Sequence, residues 1–274
     1  MSDGRNIIYL YDGSFEGLLC TVFESYSLHI FPAAIEITGN GQQSFFSQYR
    51  HVATDSGKAE RVADKVIALS GQYSLHEIYQ CYLSNLPGRE MYIFNYIRAC
   101  MKFGTEVDRH LTVECVNAVT VSSRAVGSEA HLYTGFVRFS ELENGVYYAK
   151  IEPKNNILPI IEPHFRHRYA SMPFIIHDTV RRQCLVYNGK TSVIHGDVDA
   201  PSLELSRSER DYKKLWKEFY DTIAIKERHN EKCRMTHMPK RYWRCLTELN
   251  RIYLTPSKPI NAQACTALPQ LPHV

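Results

Sequence analysis

The chain has 274 residues, enough for two domains or one large one, and its 44% hydrophobic and 22% charged content is that of an ordinary globular protein. A formal net charge of +3 is unremarkable as a total. The longest apolar runs, at residues 7–11 and 174–176, are far too short for a membrane-spanning helix, which excludes that class.

The opening Met1-Ser2-Asp3-Gly4-Arg5 lacks the basic flank and apolar stretch of a signal peptide, so the cytoplasm is the expected compartment. Residues 6–11 read as a short strand closed by the Asp12-Gly13 turn signal. Ser14 then caps a helix whose stripe is Phe15, Leu18, Leu19, Val22, Phe23 and Tyr26. A Gly/Gln/Ser-rich loop at 38–47 follows. Helices are expected over 58–69, from Ser74 with Glu77 completing a capping box, and over 90–103 after the Pro87-Gly88 break. Residues 108–122 extend this helical part, although Val113, Val116, Val119 and Val121 also suit a strand.

The pattern then changes. Residues 131–139 and 146–152 are rich in Tyr, Phe and Val and flank Asn144-Gly145, a hairpin signal. Residues 157–169 read as a helical connector; Pro159 fits its first turn, and Pro163 kinks or restarts it. Residues 173–178 and 183–188 form a second strand pair. The expected fold is α+β: an N-terminal strand and helical part, a central ββαββ antiparallel unit, and C-terminal helices. The expected divisions are 1–125, 126–253 and an extended tail at 254–274 that holds four prolines. The first C-terminal helix carries the stripe Tyr212, Leu215, Trp216, Phe219, Tyr220 and Ile223.

Eight cysteines are scattered without a C-x-x-C pair, which favours buried, reduced thiols over disulfides. Charge is unevenly spread. Residues 205–253 hold 13 Lys and Arg against 7 Asp and Glu, whereas the remainder is slightly acidic. Such a segment suits a polyanion-facing surface or a solvated helical face.

Three blocks carry a family likeness. The first is Tyr11-Asp12-Gly13-Ser14-Phe15-Glu16-Gly17-Leu18-Leu19. The middle one runs through Arg138-Phe139, Tyr147-Tyr148-Ala149, Glu152-Pro153, His164-Phe165, Arg168-Tyr169 and Ile176-His177-Asp178, with Arg181 or Arg182. The last holds Leu215-Trp216-Lys217, Phe219-Tyr220, Ile223-Ala224-Ile225, Glu227-Arg228 and Met238-Pro239-Lys240-Arg241-Tyr242-Trp243. Over residues 7–249 the chain resembles an uncharacterised bacterial family described as DNA metabolism or DNA repair proteins. The resemblance implies DNA as a partner, together with a radical S-adenosylmethionine protein also assigned to repair. The last block is similar to a segment fused to uracil-DNA-glycosylase-like domains. No catalytic residues are established for the family. Pro163 departs from its pattern, and the tail lies outside it.

Candidate residues follow from the chemistry. Lys217, Arg228, Lys240, Arg241 and Arg244 can neutralise phosphates, and Tyr242 and Trp243 can stack on bases. Alternatively, Tyr242 and Trp243 pack as core beneath Trp216, with the Arg residues reaching outward. His164, Arg168 and Asp178, with Arg182 nearby, form the most site-like constellation: a His beside a carboxylate serves acid–base chemistry and an Arg holds phosphate. The structural alternative is an Arg168–Asp178 salt bridge pinning helix to hairpin. His229, Cys233 and His237 recur every four residues, but a straight helix separates the outer two by about 12 Å, too far for one ion. No metal and no cofactor is therefore expected. Walker, Rossmann, G-x-S-x-G and deaminase motifs are absent, as is the radical S-adenosylmethionine cysteine cluster. The leading expectation is a DNA-binding accessory or adaptor subunit. The rivals are a glycosylase- or nuclease-type hydrolase using His164 or Asp178, and a protein scaffold that never touches DNA.

Overall fold

A computed structural model describes residues 7–39, 47–198, 204–225 and 230–249. The chain divides into two compact units, Met1–Ser128 and Glu129–Val274. Among the described residues no helix is long and apolar enough to cross a membrane. The expected tail lies outside the described residues.

The first unit is built around strand β1 (Ile7–Tyr11). Helix α1 (Phe15–Leu28) returns the chain to β2 (Ala34–Ile37), and β3 (Gln48–His51) lies on the other side. Both neighbours pair parallel with β1, giving the order β2-β1-β3. Tyr9, Leu10 and Tyr11 are all buried, as expected of a central strand whose two faces are covered. The two flanking strands were not anticipated. At four residues each, with sequences Ala-Ile-Glu-Ile and Gln-Tyr-Arg-His, neither carries enough alternation to signal a strand.

Ser14 caps α1 as expected, accepting from the Gly17 amide at 2.9 Å. Asp12 completes this corner. Its carboxylate accepts from the Ser14 amide and hydroxyl at 2.9 and 2.6 Å and from the Thr54 hydroxyl at 2.8 Å. Partial burial works against ionisation, but these hydrogen bonds from Ser14 and Thr54 hold the Asp12 carboxyl below its ordinary value. Only glycine fits at position 17, where an added Cβ would stand 2.2 Å from Asp12 Oδ1 and 2.8 Å from Thr54 Oγ1.

Helices α2 (Ser56–Ser70), α3 (Gln72–Leu83) and α4 (Arg89–Phe103) follow. The capping box at Ser74 does not form. Only Gly71, at φ 92°, separates α2 from α3, so Ser74 is already inside the helix and its hydroxyl donates to the Ser70 carbonyl. Glu77, 1% exposed, instead faces Tyr96, whose hydroxyl lies 3.0 Å from Glu77 and 2.8 Å from Asp108. A single hydroxyl proton cannot serve two carboxylates. Burial, reinforced by the Asp108 charge, accordingly raises the Glu77 carboxyl above its ordinary 4.5.

Helix α5 (Glu114–Phe136) bears out one expectation and corrects another. Residues 114–122 are helical, as expected, after a short 3-10 turn at Gly104–Arg109, and residues 131–136 continue the same helix instead of forming a strand. Buried Val116, Val119, Ser123, Val126, Ala130, Tyr133 and Val137 recur at spacings of three and four, so burial along one face overrides the weak helix propensity of valine and tyrosine.

In the second unit, β4 (Ser140–Glu141) is only two residues long. The Asn144-Gly145 turn does form, with Gly145 at φ 77°, and leads into β5 (Tyr147–Ile151). Helix α6 (Leu158–Arg168) crosses to β6 (Phe174–Asp178), which pairs with β7 (Gln183–Tyr187) and then β8 (Ser192–His195). The expected ββαββ order is present, with β8 added as a fifth strand. The sheet is mixed rather than antiparallel throughout, because a helix crossover returns the chain in the same direction and β5 pairs parallel with β6. Pro159 sits in the first turn of α6 and Pro163 inside it. Buried Leu158, Ile161 and Phe165 pack with Ala149, Ile151, Phe174, Ile176 and Leu185 into the second core. Helix α7 (Arg207–Ile223), capped by Ser206, and α8 (Glu231–His237) precede a 3-10 helix at Lys240–Cys245.

Seven described cysteines are free thiols. Burial pushes Cys81 up to about 12 and Cys100 and Cys184 up to about 11, as suits inert core residues.

Two predictions follow from the first unit. Gly17→Ala drives a methyl group into the Asp12–Thr54 hydrogen bond and is expected to cost about 1–3 kcal/mol in denaturant unfolding. For Glu77, the folded state holds the proton more tightly than the unfolded chain. Its contribution is therefore complete below 4.5 and lost as pH rises through the raised folded value. Thermal melts of Glu77→Gln over a pH series rising from 4.5 should lack that decline; a slope unchanged from wild type would contradict the raised carboxyl.

Candidate nucleic-acid interface

The basic-aromatic run falls on the 3-10 helix Lys240–Cys245. In this geometry residues three apart lie above one another, and neighbours point about 120° apart. The consequence is visible at once. Tyr242 turns fully inward, 0% exposed, with its ring 5.0 Å from both Tyr133 and Phe136. Burial raises its phenol above the ordinary range. Tyr242 is therefore a core residue and not a free stacking platform, which settles that half of the alternative in favour of packing.

Trp243 is different. It is half-buried, its indole N–H donates to the Met238 carbonyl at 2.9 Å, and two cations attend its ring. Lys240 Nζ lies 5.7 Å from the ring centroid, as the three-residue spacing dictates, and the Arg234 guanidinium lies at 4.8 Å. Arg234, on α8, was not among the expected residues. The signal available was a basic residue on the element just before the block, but nothing in a linear pattern sets the angle between α8 and the 3-10 helix.

Arg241 has a structural task. It bridges to Glu129 on α5 at 3.3 Å and donates to the Tyr242 hydroxyl at 2.5 Å. Glu129, 3% exposed, also accepts from the Lys154 and Asn155 amides at 3.0 and 2.9 Å and from the Asn155 side chain at 2.8 Å. Lys217 pairs with Asp221 one turn along α7, at 3.2 Å. Arg228 lies outside the described residues, as does the side chain of Arg244. Glu248, just beyond the 3-10 helix, accepts from Trp216 at 3.2 Å and from Arg138 at 3.4 Å.

The constellation of His164, Arg168 and Asp178 is not assembled. Asp178 is 0% exposed and closes the turn after β6. Its carboxylate accepts from the Val180 and Arg181 amides at 3.0 and 3.2 Å and pairs with the Arg181 guanidinium at 3.0 Å. Arg181 in turn donates to the carbonyls of Pro153 and Lys154. His164 and Arg168 are exposed on the outer side of α6. Arg168 ends the helix next to the start of β6, whereas Asp178 ends that strand, so the five-residue strand keeps them roughly 15 Å apart. The Arg168–Asp178 bridge is thus replaced by Arg181–Asp178. Arg182, at φ 55°, pairs with Asp197 at 3.0 Å on the surface. His229 lies outside the described residues, Cys233 is exposed, and no metal-ligating cluster occurs among the described residues. A groove of about 700 Å³ lies in the first unit, lined by Val22, Phe23, Tyr26, Arg61, Val62 and Met101, and holds none of the candidate residues.

Residues 87–248 match the family described as a domain of unknown function, DUF4130. The chain belongs to this family. The match runs from the loop before α4 to Glu248 and so takes in the 3-10 helix, Trp243 and the whole mixed sheet. No curated protein and no solved structure matches the chain.

The two neighbouring aromatics are expected to behave differently. Tyr242→Ala, which empties a core site, should cost about 3–5 kcal/mol in denaturant unfolding. Trp243→Ala removes a half-buried ring and should cost less than half as much.

Proposed function

We propose that this DUF4130-family chain is a DNA-binding accessory subunit in a repair-type pathway, acting beside a radical S-adenosylmethionine protein. The observation that carries the DNA contact is Trp243, a partly exposed indole flanked by Lys240 and Arg234. An indole with two cations over its ring gathers the aromatic and positive groups that a base and its phosphates contact. The local surplus of Lys and Arg in residues 205–253 supports the same reading. The partner and the repair context rest on the likeness of the three sequence blocks to a family of that description. A hydrolase using Asp178 is less well supported: that carboxylate is wholly buried, satisfied by Arg181 and two amides, and separated from His164.

The test is fluorescence anisotropy of labelled single-stranded and duplex DNA across a salt series. The expected result is binding that weakens steeply with salt. Trp243→Ala should loosen it roughly 5- to 150-fold, from the about 1–3 kcal/mol of a stacked base. Lys240→Ala should lower the salt slope by about one. Tyr242→Phe should leave affinity unchanged. No binding at low salt would overturn direct DNA contact by this chain.

A further inference from the structure

Helix α7 turns its apolar stripe away from the protein. Tyr212, Leu215, Trp216, Phe219 and Ile223 are between 47% and 70% exposed, and the helix has no buried residue. The side resting on the fold is instead polar: the Glu209 and Lys213 side chains are only 16% and 13% exposed. Burial of Lys213 lowers its ammonium, with Glu209 acting against that shift. An amphipathic helix normally does the reverse. The stripe is also ordered before anything covers it, since Trp216 is held by Glu248 and its ring lies 5.8 Å from that of Phe219.

We propose that α7 is a self-association surface, on which two copies of the chain pair with these helices antiparallel about a two-fold axis near their midpoint. Two observations point to a second copy. The first is charge. Apart from Lys213 and Glu209, which rest on the fold, residues 207–217 carry four Lys and Arg against Asp211 alone, whereas residues 218–223 carry Glu218 and Asp221 and no cation. Net positive charge toward the N-terminus and negative toward the C-terminus opposes the helix macrodipole, so this polarity does not favour a lone helix. Laid antiparallel, each basic half meets the acidic half of the other copy, and the two macrodipoles oppose one another favourably.

The second observation is area. Five large apolar side chains at about half exposure offer on the order of 500–600 Å² per copy. With flanking residues this approaches the roughly 800 Å² per partner of a stable complex, and it exceeds what single scattered apolar residues leave exposed. The arrangement is isologous. Tyr212 meets Ile223 of the second copy, Trp216 meets its Phe219, and the same contacts repeat across the axis. This inference goes beyond the DNA-binding reading and uses none of the residues around Trp243.

Sedimentation velocity of the full chain, from about 1 to about 100 µM, tests it. The wild type should shift to a dimer within this range. Leu215→Glu/Phe219→Glu, which alters exposed positions and spares the Trp216–Glu248 hydrogen bond, should weaken association at least about tenfold while keeping its circular dichroism and Tm. Orientation is read by oxidising a mixture of Tyr212→Cys and Ile223→Cys chains, each also carrying Cys233→Ser. Cross-links between positions 212 and 223 support the antiparallel pair; preferential 212–212 links overturn it. A wild type that remains monomeric at the highest concentration, or a dimer unaffected by the double substitution, overturns self-association and assigns the stripe to a different protein.

Discussion

Glu129 is almost without water, and its carboxylate ties together two separate pieces of chain, the loop at Lys154-Asn155 and the 3-10 helix at Arg241. It receives two successive backbone amides, Lys154 and Asn155, which have no strand or helix to pair with, and it receives Arg241 from the far end of the sequence. The carbonyls of the same loop, Pro153 and Lys154, go to Arg181, which is held by buried Asp178. Negative and positive groups thus alternate from α5 through the loop to the turn after β6, and from α5 to the 3-10 helix. A buried carboxylate survives only with such partners. Removing it would leave two amides and a guanidinium unanswered at once.

This network gives a physical reason for several motifs in the middle and last blocks of the sequence. Glu152-Pro153, Asp178 with Arg181, and Arg241-Tyr242 all take part in one structural tie or lie next to it. Side chains that look like chemistry in a linear reading are here occupied with backbone. Trp243 escapes because the 3-10 helix turns it about 120° from its buried neighbour. The contrast between adjacent residues is geometric, and composition carries no trace of it.

What the sequence made legible was local. The Ser14 cap, the Asn144-Gly145 turn, the stripe of α7 and the position of α6 each depend on a few neighbouring residues. The failures are non-local. Residues 131–136 are rich enough in aromatic side chains to suit a strand, and only continuation of the Val116–Val119–Ser123–Val126 spacing through Ala130 and Tyr133 identifies a helix. Strands β2 and β3 are defined by pairing with β1 and not by their own residues. The Ser74 capping box failed because a single glycine joins α2 to α3, and Glu77 was drawn inward by Tyr96. Among the candidate site residues, the cation Arg234 was invisible for the same reason: it reaches Trp243 from another element.

The family match begins at residue 87, inside the first unit, so it includes α4 and α5 but leaves out β1, α1, α2 and α3. Ile93, Phe94, Tyr96 and Ile97 of α4 share one core with Leu18, Leu19, Val22, Val62 and Ile78 from the excluded part. The recurring block is therefore not sealed by itself. In this chain that side of α4 is roofed by residues that lie outside the matched block. A fragment cut at the family boundary would lay bare Ile93, Phe94, Tyr96 and Ile97, so the matched residues of this chain depend on a partner segment for a closed core.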